Sequence, residues 1–170
     1  MNEIKQIYWS QLNFSEWQLV VAMTEKGLCF IGSDKGTVEE LEKWMRKRFA
    51  EFKLIQDDDK LTSMLKALIN YLAGKQRDFK IELDIVGTDF QKDVWETLKD
   101  IPYGETSTYS MIADSIKRPK AVRAVGTAIG ANPLLIVVPC HRVLGKNKRL
   151  TGYRGGLAMK ERLIALESAK

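Results

Sequence analysis

The feature that most constrains this chain is a change within its first half from strand-like segments to apolar residues at helical spacing. Three early segments, 4–12, 17–24 and 27–33, are rich in aromatic and β-favouring residues and are separated by turn formers, which predicts a small antiparallel sheet. Segments 38–52 and 61–72 instead repeat apolar residues at helical spacing. We expect these two helices to cover the sheet, so that the first half folds as an α/β lobe.

The second half is predominantly helical in pattern. Thr88 and Gln91 fit a capping box at the start of a helix. Two short helices are predicted after it, at about 106–116 and 119–131. A helix, a short turn and a second helix of this size are typical of DNA-binding domains.

Segment 79–86 alternates as a strand does, and we interpret it as an edge or linker between the lobes. The boundary follows it, which gives an α/β domain at 1–86 and a winged-helix domain at 87–170. We expect the wing in the basic loop at 146–149, and a final amphipathic helix from residue 157 that turns Leu157 toward the core and Lys160 toward solvent.

Charge and composition narrow the function classes. Residues 1–86 carry 13 basic and 14 acidic side chains, whereas residues 87–170 carry 14 and 8, so the second half has a surplus suited to a polyanion. The longest apolar run, 134–138, is far shorter than the roughly 20 residues that span a bilayer. The amino terminus lacks a secretory pattern, and we expect a cytoplasmic protein. Two cysteines and one histidine predict no metal site.

One face of the predicted helix at 119–131 carries almost no large side chains. At 100° per residue, Arg123, Gly126, Thr127 and Gly130 share the side opposite the apolar stripe, with Ala124 next to it. Glycine inside a helix costs about 1 kcal/mol relative to alanine, which suggests that another molecule approaches the backbone closely. A DNA groove is one candidate. The alternative is an ordinary solvent-facing surface with one arginine.

Cys140 is the candidate nucleophile. A cysteine attacks carbon as the thiolate, and the sole histidine of the chain, His141, is adjacent. A single helical turn after Pro139 is expected to bring both side chains to one side, with Glu167 or Glu161 orienting the imidazole and stabilising its charged form. The alternative is that Cys140 is a small buried apolar residue. Cys29 fits that alternative well and is interpreted as structural.

Several motifs resemble those of one family. Pro139-Cys140-His141-Arg142 is similar to the active-site signature of the O6-alkylguanine-DNA alkyltransferases, also called methylated-DNA-protein-cysteine methyltransferases. The resemblance covers most of residues 88–167, whereas the first lobe matches only in general character. Its other segments are Tyr103-Gly104-Glu105-Thr106, Thr108-Tyr109, 120–126, Asn132-Pro133, Ile136-Val137-Val138, Gly152-Tyr153 and 155–158.

The resemblance implies a ribonuclease-H-like α/β lobe followed by a helical winged-helix lobe that carries out the reaction. It implies DNA repair in which the protein moves the alkyl group of O6-alkylguanine, with O4-alkylthymine as a further lesion, onto its own Cys140. The partner would be double-stranded DNA, bound through the minor groove with the damaged base turned out into a pocket. A thioether is stable, so each molecule would react once. No cofactor and no metal are implied, and a monomer is the default.

The resemblance also implies residue roles. Cys140 would accept the alkyl group, His141 would act through a water as its base, and Glu167 would stand behind the histidine. Asn132 would brace the turn that holds the thiol, and Tyr109 would donate a hydrogen bond to the guanine. Arg123 would fill the gap left in the duplex. Val143, Tyr153 and Arg154 would line the base pocket.

Two other functions fit parts of the pattern. A DNA-damage sensor would bind alkylated guanine without transferring anything, and a cysteine hydrolase would use Cys140, His141 and an acidic partner for repeated turnover. Retention of Cys140 argues against the sensor, and the small-residue helix face argues against the hydrolase.

Overall fold

A computed structural model describes residues 3–169 of the chain. The backbone contacts divide it into two compact units, Met1–Val86 and Gly87–Lys170. Within the described residues, no helix has both the length and the apolar character needed to cross a membrane.

The first unit is a four-stranded sheet with two helices. Its strands are β1 (Lys5–Phe14), β2 (Trp17–Thr24), β3 (Gly27–Ile31) and β4 (Phe52–Gln56), in the order β3-β2-β1-β4. The helices are α1 (Val38–Arg46) and α2 (Thr62–Leu72). Three strands, a helix, a strand and a helix thus follow one another along the chain.

Two predictions for this unit were wrong in part. The sheet is mixed, because β4 pairs parallel to β1 while β1, β2 and β3 are antiparallel. The helix predicted over 38–52 ends at Arg46, and its last apolar position, Phe52, begins β4 instead. Phe49 and Phe52 are packed against the core cluster from outside the helix. Pairing with β1 therefore outweighs the helical spacing of this segment.

Segment 79–86 pairs with the sheet at one place rather than as a strand. Leu28 and Leu83 form an isolated parallel bridge, in which Leu28 donates to the Glu82 carbonyl at 2.9 Å. Gly27 permits this approach, since a Cβ there would lie 2.5 Å from the same carbonyl oxygen. The interpretation of the segment as an edge or linker holds, but the alternation overstated its strand length.

The second unit is mainly helical. It contains α3 (Asp89–Leu98), β5 (Ser107–Thr108), α4 (Tyr109–Ser115), α5 (Val122–Gly130), β6 (Val143–Leu144) and α6 (Leu157–Ser168). The capping box of Thr88 and Gln91 is confirmed, with both reciprocal hydrogen bonds present. Buried Trp95 ties α3 to α5 by donating from Nε1 to the Ala128 carbonyl at 2.8 Å. β5 and β6 pair in parallel, with Val143 opposite Ser107. Val143 is fully buried.

The helix predictions for this unit were right in number and too generous in length. The predicted helix at 106–116 begins at Tyr109, and that at 119–131 spans Val122–Gly130. The assignment of Leu157 and Lys160 was reversed: Leu157 is 50% exposed, whereas Lys160 is fully buried. Lys160 lies one turn from Leu163 and two turns from Glu167, so all three share the inner face of α6.

Candidate active site

Cys140 lies at the start of a short 3₁₀ helix, Cys140–Arg142. Two backbone hydrogen bonds close the turn, from Cys140 N–H to the Val138 carbonyl at 2.7 Å and from Arg142 N–H to the Pro139 carbonyl at 3.0 Å. The single helical turn expected after Pro139 is therefore confirmed. The preceding stretch is buried at Leu134, as its apolar sequence indicated.

Asn132 holds both this turn and the thiol. Its side chain is fully buried, and Nδ2 donates to Cys140 Sγ at 3.1 Å and to the Val138 carbonyl at 2.9 Å. Its Oδ1 accepts from Leu134 N–H at 2.9 Å. The amide thus contacts the sulfur and the backbone that leads up to it, at Leu134 and Val138. Such an arrangement fits the bracing role that the sequence suggested for Asn132.

Two opposing influences act on the thiol. Burial raises the pKa of Cys140, because the thiolate loses its hydration. The hydrogen bond from Asn132 and the positive charges of Arg154 and Lys160 act in the other direction. Cys140 is only 3% exposed, so water cannot stabilise the thiolate. Asn132, Arg154 and Lys160 supply that stabilisation instead.

Glu167 is the acidic partner of His141. Its Oε2 lies 2.7 Å from His141 Nε2, and both side chains are buried. Glu161, the alternative in the sequence, is exposed on α6. Glu167 also binds Arg142, which donates from Nε to Oε1 at 2.7 Å and from Nη2 to Oε2 at 3.0 Å. The carboxylate is therefore shared between an imidazole and a guanidinium.

His141 is held as a neutral base. Burial lowers its pKa and outweighs the opposing effect of Glu167, while the charge of Arg142 lowers the pKa further. Glu167 favours the charged form of the imidazole, as the sequence predicted, but burial has the larger effect, so the net change in the pKa of His141 is downward. With Nε2–H donating to Glu167, the lone pair is on Nδ1, which has no hydrogen-bond partner among residues 3–169.

Arg154 and Lys160 anchor the loop that precedes α6. Arg154 donates from Nε to the Asn132 carbonyl at 2.8 Å and from Nη2 to the Pro133 carbonyl at 3.2 Å. Lys160 Nζ donates to the Thr151 carbonyl at 2.7 Å, and burial lowers its pKa. Arg154, predicted to line a base pocket, is thus engaged with the Asn132 turn. Tyr153 is half-buried, and its carbonyl accepts from Gly156 N–H at 2.9 Å.

The face of α5 that lacks large side chains is exposed in the structure. Arg123, Ala124, Thr127 and Gly130 are exposed, and Gly126 is half-buried beside Tyr109. Tyr109, the first residue of α4, places its hydroxyl 3.5 Å from the Thr151 carbonyl oxygen. Tyr109 and Lys160 therefore meet the same Thr151 carbonyl from two different helices.

The sequence missed two charged residues of the site, Arg142 and Lys160. Both are buried, at 7% and 0% exposure. Arg142 had a signal in its apolar surroundings, because it is followed by buried Val143. For Lys160 the signal was its place on the same helical face as Leu163 and Glu167. Among residues 3–169, no group of three or more potential metal-ligating His, Cys, Asp or Glu side chains is present.

Both units match known family models. Residues 89–169 match the DNA binding domain of 6-O-methylguanine DNA methyltransferase, and residues 7–85 match the ribonuclease-like domain of the same proteins. A ribonuclease-like unit, a helical DNA-binding unit and a thiol hydrogen-bonded by Asn132 together define the class of DNA methyltransferases that carry an acceptor cysteine. The chain belongs to the 6-O-methylguanine DNA methyltransferase family, which confirms the resemblance found in the sequence.

Relatives match along most of their length. The inducible methylated-DNA–protein-cysteine methyltransferase of Bacillus subtilis is 53% identical over 95% of this chain and 90% of its own. The methylated-DNA–protein-cysteine methyltransferase of Methanosarcina acetivorans is 42% identical over 89% and 92%. Among solved structures, Mycobacterium tuberculosis OGT in complex with DNA is 36% identical, covers 96% of this chain and 92% of its own, and superposes with a TM-score of 0.78.

Proposed function

We propose that this protein repairs DNA by moving an alkyl group from O6-alkylguanine to Sγ of Cys140, once per molecule. The observation that carries the proposal is the buried thiol, which accepts a hydrogen bond from Asn132 and sits in the same turn as the neutral His141. Membership of the family supports the same reaction, since relatives with 53% and 42% identity are named for it.

The chemistry requires a base and a leaving group. The Cys140 thiol gives its proton through a water to His141 Nδ1, and the Glu167 carboxylate stabilises the imidazolium that forms. The thiolate then attacks the alkyl carbon in line, so that the Sγ–C bond forms as the C–O6 bond breaks. The electron pair of the broken C–O6 bond stays on the guanine. The Tyr109 hydroxyl donates a hydrogen bond to this leaving guanine. A thioether does not return to a thiol, so the protein is consumed.

The DNA side of the reaction uses α5. Its exposed small-residue face admits the backbone of a duplex, and Arg123 extends from that face toward the space of a displaced base. Gly126, Thr127 and Gly130 allow the close approach, and the basic loop at 146–149 adds phosphate contacts. We propose minor-groove binding by a monomer, with Val143, Tyr153 and Arg154 near the everted base. We expect O4-alkylthymine to be a second substrate lesion. The cytoplasm is the expected location.

The test is incubation with a duplex that contains O6-methylguanine, followed by intact mass and peptide mapping. We expect one added methyl group on Cys140 and none on Cys29, with a yield that stops at one per protein. Cys140→Ala serves as the control and should gain no methyl while still binding the duplex. Duplex binding without a mass change would indicate a damage sensor, and repeated hydrolysis of an ester would indicate a hydrolase. Either result would refute the transfer.

A further inference from the structure

Arg154 grips two consecutive backbone carbonyls of the turn that carries Asn132. Nε donates to the Asn132 oxygen at 2.8 Å and Nη2 to the Pro133 oxygen at 3.2 Å. A guanidinium holds such a pair in one plane with fixed spacing, which an ammonium does not. The two hydrogen bonds therefore fix both the position and the orientation of the Asn132 backbone.

The position of Asn132 is critical because its amide is fully used. Nδ2 carries two hydrogens and lies within 3.3 Å of three acceptors, which are the Leu134 oxygen, the Val138 oxygen and Cys140 Sγ. The sulfur is the weakest acceptor of the three. A small rotation of the residue would keep the carbonyls and lose the sulfur. A constraint on the Asn132 backbone is thus a constraint on the thiol.

The segment that carries Arg154 is itself tied down. Lys160, fully buried on α6, donates to the Thr151 carbonyl at 2.7 Å and approaches the Gly152 carbonyl at 3.4 Å. Nearby Arg142 is engaged with Glu167, and burial keeps His141 neutral. Arg154 and Lys160 are the two cations whose positive charge lowers the pKa of Cys140. Both also donate hydrogen bonds to backbone carbonyls.

We propose that Arg154 is a positioning residue for alkyl transfer, which sets the Asn132 amide on the Cys140 sulfur by clamping the Asn132 and Pro133 carbonyls. The inference rests on the proposed function for its role in repair. Its effect on the thiol itself needs no DNA.

The experiment compares Arg154→Met, Arg154→Lys and the wild type, with Lys92→Met as a matched loss of charge on the exposed side of α3. Two rates are measured: single-turnover methyl transfer from an O6-methylguanine duplex at saturating DNA, and alkylation of Cys140 by iodoacetamide as a function of pH, followed by peptide mass. For Arg154→Met we expect transfer about 10- to 100-fold slower and an iodoacetamide profile displaced to higher pH. Lys92→Met should match the wild type in both.

Arg154→Lys keeps the positive charge and removes the planar guanidinium with its two donors. We expect it to recover part of the pH displacement and to leave transfer well below the wild-type rate, because lysine does not hold both carbonyls. Full recovery of the transfer rate in this variant would overturn the positioning role. So would an unchanged pH profile in Arg154→Met. If the wild type itself gained no methyl from the duplex, the proposed function would fail, while the iodoacetamide profiles would still decide the role of Arg154.

Discussion

The two units of this protein bury different kinds of side chain. The described buried polar residues of the first unit are Ser10 and Thr24, both hydroxyls. Those of the second unit are Asn132, His141, Arg142, Lys160 and Glu167, and four of these five are ionisable. Burial of charge costs stability unless partners replace water. All five have hydrogen-bond partners, but even paired buried charges are often less stabilising than apolar packing of similar volume, so the second unit gives up stability around one sulfur.

The two cysteines show what this difference achieves. Cys29 lies in an apolar cluster with Val20 and Phe30, and burial together with the negative charge of Asp84 raises its pKa to about 12. Cys140 is buried to a similar degree, but an amide and two cations oppose the effect of burial. Burial alone makes a cysteine inert. The polar partners of the thiol, with their own cost, distinguish a reactive site from a core position.

The largest test of this contrast removes the carboxylate charge that His141 and Arg142 share. Glu167→Gln leaves Arg142 buried without its carboxylate, and we expect the free energy of unfolding to fall by about 3–5 kcal/mol. Urea denaturation with a fluorescence readout measures it. Glu161→Gln, on the exposed side of the same helix, is the matched control and should change stability by no more than about 0.5 kcal/mol. A loss below about 1 kcal/mol for Glu167→Gln would mean that Arg142 does not become an uncompensated buried charge when its carboxylate is removed.

A second test uses pH. Burial lowers the pKa of His141 in the folded state, whereas the unfolded value is about 6.5. Below that pH the unfolded chain binds a proton that the folded chain does not, so stability falls as pH decreases. The slope approaches about 1.4 kcal/mol per pH unit at most. Since His141 is the only histidine in the chain, the effect belongs to the second unit.

Urea denaturation at pH 5.5, 6.5 and 7.5 checks this expectation. The His141→Gln variant should lose the slope between the two lower values, because residues 1–86 contain no histidine to replace it. Equal stability of the wild type at pH 5.5 and 6.5 would contradict a neutral buried imidazole.

The same contrast decides how far the sequence could predict the molecule. Local signals were sufficient for the capping box at Thr88 and for the helical turn at Cys140, because the hydrogen bonds involved join neighbours in the chain. They failed at Phe52, where the partner is the edge of β1, distant in sequence. They also failed for segment 79–86, which meets the sheet through one bridge at Leu28.

The candidate site divides in the same way. Cys140, His141 and Asn132 are close in sequence, and the contact of Asn132 with the thiol was predictable from the resemblance that the motifs around them carry. The choice of Glu167 over Glu161 depends on which side of α6 faces inward, which only the packing decides. The protonation state of His141 depends first on its burial, with smaller and opposing effects of Glu167 and Arg142, and burial of one residue is decided by packing that sequence spacing does not reveal.

The smallest expected effect concerns the exposed face of α5, where the second unit again gives up stability. A Cβ at Gly126 would lie 3.7 Å from the Tyr109 ring, an ordinary contact, so Gly126→Ala should raise the free energy of unfolding by up to about 1 kcal/mol through helix propensity alone. If the bare face serves a duplex, the same methyl group should weaken binding to undamaged DNA, measured by fluorescence anisotropy. Ala165→Gly, at an exposed position of α6, reverses the exchange and should lower stability by a similar amount without changing duplex affinity. A Gly126→Ala protein that is more stable and binds DNA equally well would show that the glycine is not kept for the duplex.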